Sequence, residues 1–270
     1  MDTGLGGTHV LVTGASGGIG LATARAFAAE GAALALHYHR QRDPLAQLAP
    51  ALGVPNTLVG ADLRQEAAVD DLFARVLSLF PRLDHLVVNA GIWNPVGAPV
   101  SQMTLAQWRE TMAADLDSAF LTCRAFLRHL AADPRPTASI VLVGSTAALF
   151  GEAEHADYAA AKAGLSYGLT RTLKNEIVRL AERGRVNCVC PGWTDTPMAA
   201  GYADDRALVG RATATMALRK IARAEDVAAA IVFLTSDRLA GHISGAILPV
   251  AGGMEGRLLH PHALDAAPLA

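Results

Sequence analysis

Cysteine is scarce in this chain: Cys123, Cys188 and Cys190 are the only three among 270 residues. So small and odd a number argues against a disulfide framework. Cys188 and Cys190 sit in "RVNCVCPG", where alternation puts both on one face of a strand. No further ligand types accompany them, so buried free thiols are expected and no metal site is. An excess of charge of either sign is missing too. The formal net charge is −2, and without a basic run or stripe nothing points to a nucleic acid or an anionic membrane as partner. No apolar run approaches the roughly 18 residues needed to cross a bilayer. The N-terminus lacks the basic region and long apolar stretch of a secretory signal. A soluble, cytoplasmic protein acting on a small molecule is expected.

What is present is a regular alternation. At 51% hydrophobic the chain can bury a sizeable core, and its apolar residues fall into seven short runs: "HVLVTG", "ALALHY", "NTLVGADL", "HLVVNAG", "SIVLVGS", "RVNCVCPG" and "GAILPVAGG". Longer helical patterns separate most of them, which predicts parallel strands joined by right-handed crossovers. The runs are continuously apolar rather than alternating, as strands are when helices cover both faces of a sheet. The fold class expected is α/β: one doubly wound, seven-stranded parallel sheet flanked by helices, forming a single domain over residues 1–270 with its core at about 8–253. Such sheets bind ligands beyond the carboxyl ends of their strands. Residues 197–220 are rich in small side chains and are expected to form a flap over the site; residues 257–270 lack periodicity and read as a tail.

Two local patterns carry chemistry. "VTGASGGIG" closes the first strand and opens the first helix; its glycines let the backbone approach a pyrophosphate that the helix N-terminus attracts. "HADYAAAKAG" places Tyr158 and Lys162 four positions apart, on one helix face and about 5 to 6 Å apart at Cβ. A phenol with a pKa near ~10 is a poor base at neutral pH, and reaching neutrality takes about three units, or about 4 kcal/mol. A nearby ammonium shifts a pKa in that direction by ~1 to 3 units. Tyr158 could then act as general base in oxidising an alcohol and as general acid in reducing a carbonyl.

In chain order, T-G-x-x-x-G-I-G (Thr13, Gly14, Gly18, Ile19, Gly20), N-A-G (Asn89, Ala90, Gly91), Y-x-x-x-K (Tyr158, Lys162) and P-G-x-x-x-T (Pro191, Gly192, Thr196) resemble the motifs of the short-chain dehydrogenase/reductase family, over roughly residues 8 to 253. The resemblance implies a Rossmann domain, a nicotinamide dinucleotide and oxidoreduction of an alcohol or carbonyl, in a homotetramer or dimer. It also implies residue roles. Thr13, Gly14, Ser16, Gly18, Ile19 and Gly20 would cradle the cofactor, Asp62 and Leu63 would meet the adenine, and Asn89 to Gly91 would wall the adenosine side. Pro191, Gly192, Thr194 and Thr196 would lie near the nicotinamide, with Tyr158 and Lys162 also touching the cofactor. Ser145, thirteen positions before Tyr158, matches the family's catalytic serine and would hold the substrate oxygen; a serine at a strand end can equally be a helix or turn cap.

The fourth catalytic position departs from the family. Asp115 stands where it usually carries asparagine, and an ionised carboxylate accepts hydrogen bonds without donating them. At the tip of the second strand, Tyr38, His39 and Arg40 present no acid, which favours NADP(H), with NAD(H) possible. Trp93, His155, Trp193 and Tyr202, with Asn94, Leu149, Phe150 and Met198, are candidate walls of an apolar substrate pocket. The activity expected is that of an NAD(P)(H)-dependent ketone or 3-oxoacyl reductase similar to 3-oxoacyl-[acyl-carrier-protein] reductases. The alternatives are an alcohol dehydrogenase working oxidatively or a non-catalytic dinucleotide-binding regulator.

Overall fold

The computed structural model describes residues 2–199 and 206–256. Tyr202, part of the flap expected at 197–220 and the tail at 257–270 lie outside the described residues.

β1 (His9–Val12) leads through the glycine loop into α1 (Gly18–Ala29), followed by β2 (Ala33–Tyr38), α2 (Asp43–Leu48), β3 (Asn56–Gly60), α3 (Glu66–Leu79) and β4 (His85–Val88). α4 (Leu105–Thr111) runs through a π-helical turn, Met112–Asp117, into α5 (Ser118–Ala132), and β5 (Arg135–Val143) follows. Next come α6 (Thr146–Phe150), α7 (Ala156–Ala163), a second π turn at Gly164–Leu169, α8 (Thr170–Ile177) and β6 (Ala181–Pro191). Beyond these lie β7 (Thr194–Asp195), α9 (Arg206–Ala214), β8 (Ala222–Arg223), α10 (Ala224–Thr235), α11 (Asp237–Ala240) and β9 (Ile247–Val250).

All seven expected strands form one parallel sheet in the order β3-β2-β1-β4-β5-β6-β9. Strand alternation explains their unbroken apolar runs. In β1, Leu11 joins the core beneath α3 and α5, with Leu72, Phe126 and Ile140, whereas Val10 and Val12 join the opposite core with Phe27, Val141 and Ile231. Cys188 and Cys190 share one face as expected, their Sγ atoms 3.8 Å apart, and are free and buried. β7 and β8, two residues each, form a separate parallel pair that joins the two sides of the flap segment; elements this short leave no periodic signal in the sequence. No helix among the described residues is long and apolar enough to cross a membrane.

The strand order positions the site. Winding proceeds outward from β1 to β3, then restarts on the other side of β1 with β4. The connections after β1 and β4 therefore leave the sheet in opposite directions and open a crevice at their carboxyl ends. A buried cation closes the opposite side of the fold: Arg185 of β6 donates to the carbonyls of Leu234 (2.6 Å), Thr235 (2.7 Å) and Ala240 (3.2 Å). It satisfies carbonyls that the end of α10 leaves without helical partners, where the helix dipole favours positive charge.

Candidate active site

The glycine loop lies at the crevice. Gly14 has φ +60°, and a methyl group on it would come within 2.8 Å of Ala90 Cα. A methyl group on Gly20 would run into the carbonyl oxygen of Gly14, and one on Gly18 would lie 2.7 Å from Thr196 Cγ2. The loop after β1 thus packs against the loops after β4 and β6 with no room for side chains. No side chain caps α1 at Gly17, so its first-turn N–H groups, those of Gly18, Ile19 and Gly20, remain for a ligand. Ser16 lies half-buried between them and β1.

Thr13 and Asn89 hold this arrangement together. The Thr13 hydroxyl accepts from the amides of Asn89 (2.9 Å) and Ala90 (3.1 Å), and the Asn89 side chain donates to the carbonyls of Thr13 (3.1 Å) and Gly14 (2.9 Å). Thr13 is completely buried and braces the two loops. His37 of β2, which the sequence reading passes over as an ordinary strand residue, completes the support. Its Nδ1 accepts the Gly14 amide at 3.1 Å and its Nε2 faces the Ala61 carbonyl at 3.1 Å. The Gly14 bond requires a lone pair on Nδ1, and burial lowers the pKa of His37 to about 4, so the ring is neutral with its proton on Nε2.

At the tip of β2, Tyr38 lies over Gly60, where an added methyl would meet its ring at 2.9 Å. His39 and Arg40 reach solvent. Asp62 brings an acid to this corner, 3.8 Å from His39 Nε2, but Arg64 grips it through two bonds of 2.8 and 2.7 Å. That grip lowers the Asp62 pKa to about 2. Leu63 turns into the core.

On the other side of the crevice, Ser145 is the N-cap of α6, its Oγ accepting the Ala147 amide at 3.1 Å. The same side chain also acts on the Tyr158 phenol, favouring its anion, so the capping and catalytic readings of this serine fall on one group. Lys162 Nζ lies 5.6 Å from the centre of the Tyr158 ring, donates to the Val143 carbonyl at 3.2 Å and stands 3.3 Å from Asp115 Oδ2. Asp115 is aimed here by the first π turn, whose Leu116 packs on Gly164 of the second. Gly91 passes directly over the ion pair, where an added methyl would lie 3.1 Å from both charged atoms. α7 is fixed through its buried Asp157, which accepts from the Thr111 hydroxyl (2.7 Å), the Gln107 side chain (3.3 Å) and the Tyr158 amide (2.9 Å).

The tyrosine differs from the sequence expectation in one respect. Burial pushes the Tyr158 phenol above the ordinary tyrosine value, and Asp115 adds to that push, outweighing the opposing pull of Lys162 and Ser145. Spacing alone shows the ammonium but not the burial or the carboxylate behind it.

Of the pocket candidates, Trp93 stacks on His155 with ring centroids 4.9 Å apart, and His155 Nε2 meets the Asn94 carbonyl at 3.0 Å. These residues join the loop after β4 to the loop before α7. Thr194 bonds the Gly192 carbonyl at 2.9 Å, and the Gly192 amide bonds Val250 at 3.1 Å, which fixes the turn after Pro191. Trp193 lies in that turn, its carbonyl accepting from the Ala222 amide. Phe150 and Met198 are exposed, whereas Leu149 packs against the core. Among the described residues no group of three or more acidic, histidine or cysteine side chains could hold a metal ion.

The chain that forms this glycine cradle and sets a serine, tyrosine and lysine across the crevice matches known proteins over most of its length. A family model described as enoyl-(acyl carrier protein) reductase covers residues 14–255. The chain belongs to the short-chain dehydrogenase/reductase family. It is 40% identical to the cis-4-hydroxycyclohexanecarboxylate dehydrogenase of Sinomonas cyclohexanicum, over 90% of this chain and 94% of that protein. It is 32% identical to the 3-oxoacyl-[acyl-carrier-protein] reductase FabG of Chlamydia pneumoniae, over 94% and 99%. Among solved structures, a double tyrosine mutant of a Serratia marcescens short-chain dehydrogenase/reductase superposes with a TM-score of 0.82 at 30% identity, over 93% of this chain and 98% of that one. The protein is accordingly an NAD(P)-dependent oxidoreductase that interconverts CH–OH and C=O groups.

Proposed function

We propose that the chain is an NADPH-preferring carbonyl reductase that converts a ketone or 3-oxoacyl group to a secondary alcohol, with Tyr158 as its general acid. The observation that carries this reading is the buried Lys162 ammonium, 5.6 Å from the centre of the Tyr158 ring and 3.3 Å from Asp115 Oδ2. The glycine cradle fits a dinucleotide, because Gly14, Gly18 and Gly20 leave backbone N–H groups facing a space that side chains would close. A nicotinamide bound there supplies the hydride in reduction and accepts it in oxidation. Ser145 holds the carbonyl oxygen in place, and Tyr158 delivers its hydroxyl proton to that oxygen as negative charge builds on it. Lys162 is positioned to hold the cofactor ribose and the charge balance around Tyr158.

His39 and Arg40 favour the 2′-phosphate of NADP, since both are exposed cationic or neutral donors and the nearby acid, Asp62, is taken by Arg64. Trp93, His155 and Trp193 are the proposed pocket walls. A single-domain, cytoplasmic homo-oligomer completes the reading. Its support is a groove lined by Phe120, Leu127, Leu169 and Leu173, of which Phe120 is exposed. The 40% identity to a protein described as a dehydrogenase favours a second reading, oxidation of a cyclic secondary alcohol.

The test is nicotinamide absorbance with NADPH and with NADH over a panel of cyclic ketones and 3-oxoacyl thioesters, and in reverse with cyclic alcohols. Tyr158→Phe is the control. Turnover of ketones that vanishes in the control supports the first reading; turnover confined to alcohols with the oxidised cofactor supports the second. Binding of both cofactors with no turnover in either direction would overturn both.

A further inference from the structure

Asp115 changes the charge that the acid–base tyrosine experiences. It is completely buried. Its Oδ1 accepts the Ile92 amide at 2.8 Å, and its Oδ2 meets no donor except the Lys162 ammonium 3.3 Å away. An asparagine could keep the first bond through its oxygen, but it would then turn an NH2 donor toward the ammonium. A carboxylate offers acceptors to both donors at once.

The consequence follows from counting charge. A lone ammonium beside a phenol stabilises the phenolate. A buried aspartate–lysine pair sums to zero whichever partner holds the shared proton, so most of that stabilisation cancels. We propose that Asp115 is a positioning residue which, through Lys162, keeps Tyr158 in its protonated form and so sets the enzyme to donate a proton to a carbonyl rather than withdraw one from an alcohol. This inference rests on Tyr158 being the acid–base group of the proposed function, and it adds to that reading the pH range in which each direction runs and the residue that sets it.

The groups facing Tyr158 divide as the inference requires. Lys162 on its own helix and Ser145 at the start of α6 favour the phenolate; Asp115 in the π turn and Glu152 in the loop before α7 favour the phenol. Three further groups reach only the pair: Asp157 adds its negative charge near Asp115, and Cys188 and Cys190 of β6 lie near Lys162. Burial works against the Lys162 ammonium, yet the Asp115 carboxylate, foremost among the opposing causes, holds it above the ordinary lysine value. The ammonium is thus committed to the carboxylate, and the phenol keeps its proton.

The deciding experiment compares the full chain with its Asp115→Asn variant, and with Asp115→Ser as a second uncharged replacement. The first readout is the near-ultraviolet phenolate absorbance of Tyr158, isolated by subtracting the same protein carrying Tyr158→Phe. It needs no turnover. The expected result is a midpoint about one unit lower in both Asp115 variants. The second readout is the pH profile of each direction. Both limbs should move to lower pH together, with alcohol oxidation at pH 7 rising by up to about tenfold and carbonyl reduction failing earlier in the alkaline range. An unchanged phenolate midpoint in folded Asp115→Asn or Asp115→Ser overturns the inference, even if activity falls. Failure of every substrate in both directions, with a shifted midpoint, would instead overturn the functional reading and leave the role of Asp115 standing.

Discussion

The Nδ1 atom of His37 accepts the backbone N–H of Gly14 at 3.1 Å, so a residue buried in β2 fixes the turn that faces the proposed cofactor site. Its other nitrogen meets the Ala61 carbonyl beyond β3, and the ring therefore links the ends of three neighbouring strands. Replacing it with leucine leaves a donor and an acceptor without this partner, at roughly 1 to 3 kcal/mol for each buried group. His37→Leu should lower the urea midpoint and also weaken NADPH binding by about tenfold, read from the fluorescence of the bound cofactor. A stability loss with unaltered cofactor affinity would show that the imidazole supports the sheet but not the loop.

Buried histidines also give the fold an acid limit. Burial lowers the pKa of both His37 and His85 to about 4 from an ordinary 6.5. Their unfolded forms bind protons first, so the stability they contribute is complete above pH 6.5 and is lost as pH falls from 6.5 toward 4. Asp62, held at about 2, loses its contribution only below about 3.8 and stays outside this window. Asp115 and Glu152, pushed up by burial, act in the opposite sense, which makes a difference measurement the useful one. His85→Gln can still bond the Ser139 hydroxyl and should flatten the decline of the urea midpoint between pH 7 and pH 4.5. Identical slopes for parent and variant would refute this account.

The sheet and the reactive trio are legible in the sequence for different reasons. Strands covered on both faces must be apolar throughout, so each of the seven runs announces itself. Ser145, Tyr158 and Lys162 are legible as candidates because the proposed chemistry needs those side chains at set separations on one strand end and one helix face. His37 is not legible. Its partners lie 23 and 24 positions away, and only the register of β2 against β1 and β3 brings them together. The same holds for Asp157, whose bond to Thr111 spans 46 positions and locks α7 to α4. Asp115 is visible as a departure from the family pattern, but its effect on Tyr158 depends on burial that spacing does not encode.

Cofactor choice should follow the corner formed by His39, Arg40, Asp62 and Arg64. Arg64 occupies both carboxylate oxygens of Asp62, which withdraws that acid from competition for a ribose hydroxyl. Arg40→Asp places an acid there and removes a cation, so kcat/KM with NADPH should fall by roughly 100-fold while NADH gains, consistent with about 3 kcal/mol for a charge-assisted contact to phosphate. Arg64→Ala should move selectivity the same way more weakly, by freeing Asp62. An unchanged ratio of the two cofactors in Arg40→Asp would place the phosphate-binding group elsewhere.

The proposed wall of the substrate pocket depends on His155, which is buried between two loops. It stacks on Trp93, and its two nitrogens face the carbonyls of Asn94 at 3.0 Å and Ala153 at 3.1 Å. The adjacent backbone bond from Ala98 to Glu154, 2.8 Å long, ties the same two loops a few residues further on. His155→Phe preserves the stack while removing both polar contacts, so the loop after β4 loses its side-chain anchor without losing the aromatic surface. Tyr158 and Ser145 are held by α7 and α6 and should stay in place. The ketone KM should therefore rise about tenfold, the loss expected from one or two hydrogen bonds of about 1 kcal/mol each, with kcat and the pH profile close to the parent's. A fall in kcat at unchanged KM would mean that His155 positions Tyr158 itself and not the wall beside it.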